Sequence, residues 1–343
     1  MYKVKTHAAA NSKAKVILGK LLKDADYEKL IKMDSVGEVT AYLKSQTHYI
    51  HMDWGTGDDT QNFEVLMKKH FFNAYEKFFH FYIDEYREFI KAMFCRYEVE
   101  NLKLFIRALT RNESLSSIID HLIYSHLYSN IDYVALERVG NMDEFMQAIK
   151  GTQYYDPLSV FLDDDPVQMI FHMEMMLDRG YFNRLLESIQ NLKKRDKAMM
   201  LDLLGINADI LNVQWIYRGR RYFGISSEEL FNFTLNSGKV YDYKALKALC
   251  YMDLDDYREF ISKGDYADIF RDKEYMMERA MEKHLYYILD DFTKHAENSI
   301  AWPVVLLFKF EYEIRDLITI MEAKKYDMED IHELLIRDLG RAR

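Results

Sequence analysis

Proline and glycine are scarce in this sequence, with 3 and 13 copies among 343 residues. Both interrupt helices, because proline lacks the backbone N–H and glycine loses much conformational entropy on ordering. Hydrophobic residues make up 49% and charged residues 30%, so the chain can bury a core and disorder is not expected. The sequence therefore predicts an all-α globular protein.

Cysteine and long apolar runs are also lacking. Cys95 and Cys250 cannot form a disulfide framework, and we expect buried free thiols of the kind found in cytoplasmic proteins. The longest apolar run, at residues 300–308, falls well short of the roughly 20 residues that a bilayer-spanning helix needs. It is expected to begin a buried helix with Pro303 in the first turn. No membrane span is predicted.

Positive charge is in deficit, with 46 Lys and Arg against 56 Asp and Glu, a formal net charge of −10. Such a chain is a poor general binder of nucleic acid or anionic membrane. Its main basic cluster is Arg218, Arg220 and Arg221. This cluster is either a solvated helix face or a contact for an acidic partner.

The sequence also lacks the patterns that indicate catalysis or a cofactor. The glycine-containing stretch 205–224 has no G-x-x-x-x-G-K-[ST] phosphate loop. His48 and His51, with Asp53, are a weak metal-ligand pattern, and Glu329 with His332 forms a single E-x-x-H where a helical di-iron site needs two. We therefore expect no catalytic residue, no metal and no cofactor, with a helical metal oxidase as an alternative.

What is present is a threefold internal repeat. Its first element, motif B, has an acid followed by apolar residues at +1, +4, +7 and +8 and by Asn or Asp at +3. This is the spacing of one buried helix face. A break and a further helix are expected after each copy, with Ser226 and Glu229 at the capping-box interval after the second copy and Asp327 as the expected cap after the third. The acid and the +3 residue of the three copies are Glu98 and Asn101, Asp209 and Asn212, and Glu313 and Asp316.

The second element, motif A, begins Asp-Tyr at residues 26, 132 and 242. Apolar residues follow the tyrosine at +3, +6 and +9, which predicts a short helix capped by the Asp, then a turn and a second short helix. Ser35 with Glu38 and Asn141 with Glu144 have the capping-box interval. The tyrosines are Tyr27, Tyr133 and Tyr243.

Because both motifs keep their order through three cycles, we predict three similar helical units. Their expected ranges are 1–122, 123–232 and 233–343. Each unit would contain a motif A hairpin, an aromatic-rich helical stretch and the B helix. The period is much longer than the roughly 34 residues of a helical-hairpin solenoid, so each unit is expected to have its own core.

The repeated acids Glu98, Asp209 and Glu313 have two interpretations. They are either three catalytic acids arranged around an axis or structural residues that stabilise the fold. An acid in the first turn of a helix stabilises the helix dipole, and a +3 Asn or Asp can bond backbone or a neighbouring helix. We therefore favour a structural role for all six repeat positions over a catalytic one.

Together the B motifs resemble a known family. The stretch GINADILNVQWIYRGRRYF, residues 205–223, is similar to a run in the C subunit of the archaeal and bacterial V-type (A-type) ATPase or ATP synthase, whose counterpart in the eukaryotic proton pump is the d subunit. RYEVENLKLFIRAL and FEYEIRDLITIMEAKKYDMEDI resemble its first and third copies. The resemblance covers nearly the whole chain in the right order.

This resemblance implies a funnel of three helical subdomains with pseudo-threefold symmetry. Its broad side would sit on the proteolipid ring at the cytoplasmic face of the membrane, and its cavity would receive the central shaft. The implied function is non-catalytic coupling of ATP hydrolysis or synthesis to proton or sodium transport. The alternative is a helical adaptor of an unrelated complex.

Overall fold

The computed structural model describes residues 7–52, 54, 60–125, 129–270, 274–294 and 296–339. Over these ranges the regular elements are helices and there is no strand, which confirms the all-α prediction. Short 3-10 helices occupy His48–His51, Lys77–Phe81, Ala267–Phe270 and Glu274–Met276. The α-helices are α1 Ala8–Leu18, α2 Asp24–Lys32, α3 Val36–Gln46, α4 Thr60–Glu76, α5 Asp84–Thr110, α6 Ser116–Ile119, α7 Tyr133–Leu136, α8 Met142–Ala148, α9 Tyr155–Ser159, α10 Pro166–Gln190, α11 Lys194–Tyr222, α12 Ser227–Phe233, α13 Tyr243–Tyr251, α14 Leu254–Ser262, α15 Met277–Lys294, α16 Ala301–Lys325 and α17 Ile331–Leu334.

The chain forms two compact units. One combines residues 1–82 with 262–343, and in it α16 packs against α1, α4 and α15. The other spans 83–261 and is built on the pairing of α5 with α10, with α11 against α10. The predicted division into 1–122, 123–232 and 233–343 stays a prediction.

Local capping chemistry fixes several helix starts as expected. Ser35 and Asn141 accept hydrogen bonds from the backbone N–H of Glu38 and Glu144, and Ser226 forms a complete capping box with Glu229. The Asp of motif A caps α7 and α13, through Asp132 and Asp242. In the first copy Asp26 lies inside α2, which begins at Asp24, so the predicted cap is wrong there.

The three B motifs lie on the long helices α5, α11 and α16. Each ends in a left-handed residue, Asn112, Gly224 or Asp327, with φ of 55°, 63° and 50°. The backbone N–H one residue later bonds back into the helix, from Glu113 to Ala108, Ile225 to Gly219 and Met328 to Ala323. Such a turn satisfies helix-end carbonyls and stops the helix. Asp327 therefore ends α16, and the expectation that it caps the following helix is wrong.

Candidate functional site

The repeated acids lie deep inside their helices. The first-turn prediction is wrong, since α5 begins at Asp84, α11 at Lys194 and α16 at Ala301, many residues before Glu98, Asp209 and Glu313. All three carboxylates are buried. A buried carboxylate is costly unless hydrogen-bonded, so its partners define what it does.

The residue at +3 lies about one helical turn after each acid on the same helix. Its side chain forms hydrogen bonds with backbone groups of another segment. Asn101 donates to the carbonyl of Ile123 at 2.8 Å and accepts from the N–H of the same residue at 3.2 Å. Asn212 makes the same pair of bonds with Leu235, at 2.9 and 2.8 Å. Asp316 accepts from the N–H groups of Ile336 and Arg337, at 2.6 and 3.1 Å. Each B helix thus clamps a segment that follows it in the chain.

Asp209 is the most enclosed of the acids, with 0% exposure. Its carboxylate accepts three backbone hydrogen bonds, from Lys239 at 2.8 Å, Val240 at 2.7 Å and Tyr241 at 3.2 Å. Successive N–H groups that converge on one anion form a nest. The carboxylate therefore fixes the loop that leads into the third motif A.

Glu98 and Glu313 bind side chains, and Glu313 also binds a backbone N–H group. Glu98 accepts from the Tyr154 hydroxyl at 2.6 Å. Glu313 accepts from the Leu22 N–H at 2.6 Å and the Tyr49 hydroxyl at 2.8 Å, and the His48 ring lies 2.8 Å from it. Asn101 binds the tyrosine of the second motif A, Asp209 binds the loop before the third, and Glu313 binds residues on either side of the first.

The three motif A tyrosines differ in burial. Tyr27 and Tyr133 are buried, and Tyr133 accepts a hydrogen bond from Asn101 at 3.0 Å. Tyr243 is 57% exposed, whereas Tyr241 is buried and its N–H binds Asp209. The buried tyrosine of the third copy thus comes two residues earlier than the alignment of the motifs predicts.

The two cysteines are buried and unpaired by disulfide, as predicted. Burial raises the pKa of each thiol to about 12. Because the thiolate is the nucleophile, neither side chain is suited to covalent chemistry near neutral pH.

The candidate metal ligands are not brought together. His48 pairs with Glu313, whereas Glu329 and His332 are exposed. Asp53 lies outside the described residues. In the described part of the chain no group of three or more His, Cys, Asp or Glu side chains is arranged to hold a metal ion.

The basic cluster is divided between two environments. Arg220 is half-buried and donates to the carbonyl of Met252, at the carboxyl end of α13. Lys324, at the same offset from the acid of its copy, donates to the carbonyl of Ile31 in α2. Cations at helix carboxyl ends satisfy carbonyls and complement the helix dipole. Arg218 is half-buried and Arg221 is exposed.

A close backbone approach accompanies the Asp209 nest. A Cβ atom on Gly238 would lie 2.1 Å from Asp209 Oδ1 and 2.8 Å from the Tyr241 carbonyl oxygen. We expect Gly238→Ala to lower the free energy of unfolding by about 1–3 kcal/mol, because this loop must shift away from the carboxylate. Chemical denaturation measures it.

Gly180 supplies the matched control for that substitution. It lies inside α10, and nothing lies within 4 Å of an added Cβ. Gly180→Ala should stabilise the protein by about 0.5–1 kcal/mol. Equal effects of the two alanines would contradict a tight approach at Gly238.

Asp316 gives a prediction for pH dependence. Burial raises its pKa to about 7, against the lowering effects of the two backbone N–H groups and of Arg279, whose guanidinium lies 3.9 Å away. The folded protein therefore binds this proton more tightly than the unfolded chain. The stability it contributes is complete below about pH 4 and is lost as the pH rises through about 7.

Asp316→Asn tests this, since asparagine is the residue of the other two copies. In the wild type, the free energy of unfolding should fall between about pH 4 and pH 8 as Asp316 loses its proton. We expect this fall to be smaller in the variant. Urea titrations across that range measure it, with Asp202→Asn as an exposed control on α11 that keeps the wild-type slope. A superimposable pH profile for Asp316→Asn would refute the assignment.

No helix in the described residues is long and apolar enough to cross a bilayer. The clamps define a helical protein whose long helices are tied to other segments by buried carboxylate and amide groups. The family model described as ATP synthase (C/AC39) subunit matches residues 10–334, and the chain belongs to this family.

Curated relatives agree with that membership. The chain is 22% identical to the C subunit of the A-type ATP synthase of Thermococcus kodakarensis, over 92% of this chain and 86% of that protein. It is also 22% identical to the C subunit of the A-type ATP synthase of Methanosarcina acetivorans, over 97% and 92%. The protein of the same name from Methanosphaera stadtmanae is 21% identical, over 95% and 86%.

Proposed function

We propose that this chain is a non-catalytic central-stalk subunit of a rotary A-type ATP synthase or V-type ATPase. It couples the rotating shaft to the membrane proteolipid ring, and so links ATP hydrolysis or synthesis to proton or sodium transport. It lies at the cytoplasmic face of the membrane as a peripheral subunit. Its partners are the ring and the shaft subunits, and it needs no cofactor and no nucleic acid.

The observation that carries the proposal is the family match over residues 10–334. The threefold clamp supports it physically. A subunit that transmits torque has to resist deformation, and long helices tied to their neighbours by buried, hydrogen-bonded carboxylates form a rigid, closely packed body. Under this proposal the three predicted units, 1–122, 123–232 and 233–343, are the subdomains of a funnel, and the six repeat positions are scaffold.

The test is co-purification from native membranes. A tagged copy of the chain should bring down the ATP synthase subunits, and stripping the membranes should release it as a protein that rebinds when added back. A complex that contains only unrelated proteins would reject this function in favour of the helical adaptor.

A further inference from the structure

A cavity of about 330 Å³ lies between α5, α9 and α10, inside the unit spanning 83–261. Its walls are mostly apolar, with Leu158 and Leu177 buried and Met176 and Cys95 beside them. The volume is about twice that of the roughly 150 Å³ apolar cavity that binds benzene, and ligand-binding cavities run from roughly 300 to 1,000 Å³. The cavity is therefore large enough for one ring with a short tail.

Gly180 borders this cavity, and nothing in the described part of the chain requires a glycine there. It lies in the middle of α10, where glycine is less favourable than alanine because it loses more conformational freedom on folding. Its backbone is not in the left-handed conformation. No atom lies within 4 Å of an added Cβ.

The glycines of α11 show what crowding at a helical glycine looks like. A Cβ on Gly205 would lie 3.0 Å from the backbone nitrogen of Lys239. A Cβ on Gly219 would lie 2.4 Å from Leu230 Cδ2. Glycine inside a regular element often marks a place where another group approaches the backbone closely. At Gly180 that group is not part of the described chain, and a molecule bound in the cavity would supply it.

Polar groups stand at the rim of the cavity. The Arg184 guanidinium donates to Gln153 Oε1 at 2.8 Å, and the exposed Asn183 amide precedes it in the chain. Both side chains carry N–H donors. Tyr154 and Met176 line the interior, and both side chains make favourable contacts with aromatic rings. These groups together suit a ring that carries an oxygen acceptor.

The charges around the cavity balance, so they do not select an ion. The pKa of the Cys95 thiol, raised by burial, is also shifted in opposite directions by two acids and two cations, namely Glu98 and Glu88, and Arg184 and Lys91. Glu187 adds one more acid at the exposed rim. Burying a charged ligand without a matching field is costly. A neutral ligand avoids this cost.

We propose that this cavity binds a small neutral aromatic molecule that carries one oxygen acceptor. The ring lies between Leu158 and Leu177 and passes over Gly180, and the oxygen accepts hydrogen bonds from Arg184 and Asn183. This inference goes beyond the proposed function and does not depend on it.

The experiment is titration of the purified chain with 2-phenylethanol, by calorimetry and by ligand-observed NMR. We expect a dissociation constant of about 1 mM or tighter. Ethylbenzene lacks the acceptor, and phenylacetate and phenethylammonium are charged, so each should bind at least about threefold more weakly.

Substitutions at Gly180 test the place of binding. Gly180→Leu fills the space and should weaken binding of 2-phenylethanol about tenfold or more. Gly180→Ala should weaken it about two- to fivefold while stabilising the fold. The matched control is Gly37→Leu, at an exposed glycine of α3 where the nearest atom to an added Cβ is Ser35 Oγ at 3.9 Å. This variant should bind like the wild type.

Arg184→Met should remove the advantage of 2-phenylethanol over ethylbenzene, whereas Arg111→Met, at an exposed arginine, should keep it. A wild-type chain that does not bind 2-phenylethanol, or a folded Gly180→Leu variant that binds it equally well, overturns the proposal. Tighter binding of phenylacetate or phenethylammonium would reject a neutral ligand. Equal binding of ethylbenzene would mean that the cavity takes any apolar group, such as a side chain of another protein, and would reject this ligand class. Melting curves show that each variant is folded.

Discussion

Replacing Asp209 by alanine is expected to lower the free energy of unfolding by about 3–5 kcal/mol. The substitution leaves three backbone N–H groups, of Lys239, Val240 and Tyr241, without their acceptor. Each orphaned donor costs about 1–3 kcal/mol, less whatever water regains in the vacated space. Urea unfolding at neutral pH measures the loss.

Two variants show whether the loss comes from the nest. Asp202, seven residues earlier on α11, pairs with the side chain of Lys239 at 2.7 Å, and both side chains are more than 40% exposed. Asp202→Ala should cost at most about 1 kcal/mol, because exposed ion pairs contribute little. Asp209→Asn keeps the volume but turns one acceptor into a donor, and should fall between them. Equal costs for Asp202→Ala and Asp209→Ala would show that the nest does not stabilise the fold.

Local signals in the sequence predict local structure well. The caps at Ser35, Asn141 and Ser226 need only a side chain and a backbone N–H three residues on, so their spacing is enough to identify them. The fold class follows in the same way from the shortage of helix breakers. The recurrence of two motifs predicts where the clamping residues lie, since repeated phase marks equivalent helix faces.

The partners of the clamps could not be predicted, because they are distant in sequence and mostly backbone. The N–H groups of Leu22 and Ile336 have no side-chain signature, and Tyr154 lies 56 residues from Glu98. The wrong prediction that the repeated acids lie in the first turn of a helix has a related cause. Nothing between residues 84 and 98 breaks a helix, so the aromatic stretch and motif B form one helix, α5, where the motif alone suggests a helix start.

The basic cluster at the end of α11 can be compared with the equivalent residues at the end of α16. The sequence leaves the cluster that contains Arg220 as either a solvated helix face or a partner contact, and in the structure Arg220 donates to the Met252 carbonyl. Lys324 stands at the same offset and makes the same kind of contact with Ile31. The shared Arg-Arg-Tyr and Lys-Lys-Tyr order is a signal present in the sequence.

Leu102→Asp is expected to have the largest effect of these substitutions. Leu102 is 0% exposed and lies in a core with Val99, Phe105, Leu136 and Phe145. Losing a buried leucine to alanine costs about 2–5 kcal/mol, and an unpaired carboxyl in its place adds a desolvation cost of several more. The sum approaches the roughly 5–15 kcal/mol by which whole domains are stable. The unit spanning 83–261 should therefore lose cooperative folding.

A graded series distinguishes core packing from a general intolerance of α5 to change. Leu102→Met conserves volume and should cost less than about 1.5 kcal/mol, with Leu102→Ala between it and Leu102→Asp. Thermal melts followed by circular dichroism, with limited proteolysis of the unit spanning 83–261, measure the order. A melting curve unchanged by Leu102→Asp would mean that the B helix does not face a core. Leu102, Glu98 and Asn101 lie on the same buried face of α5. The clamp built on the same face would then lose its structural basis.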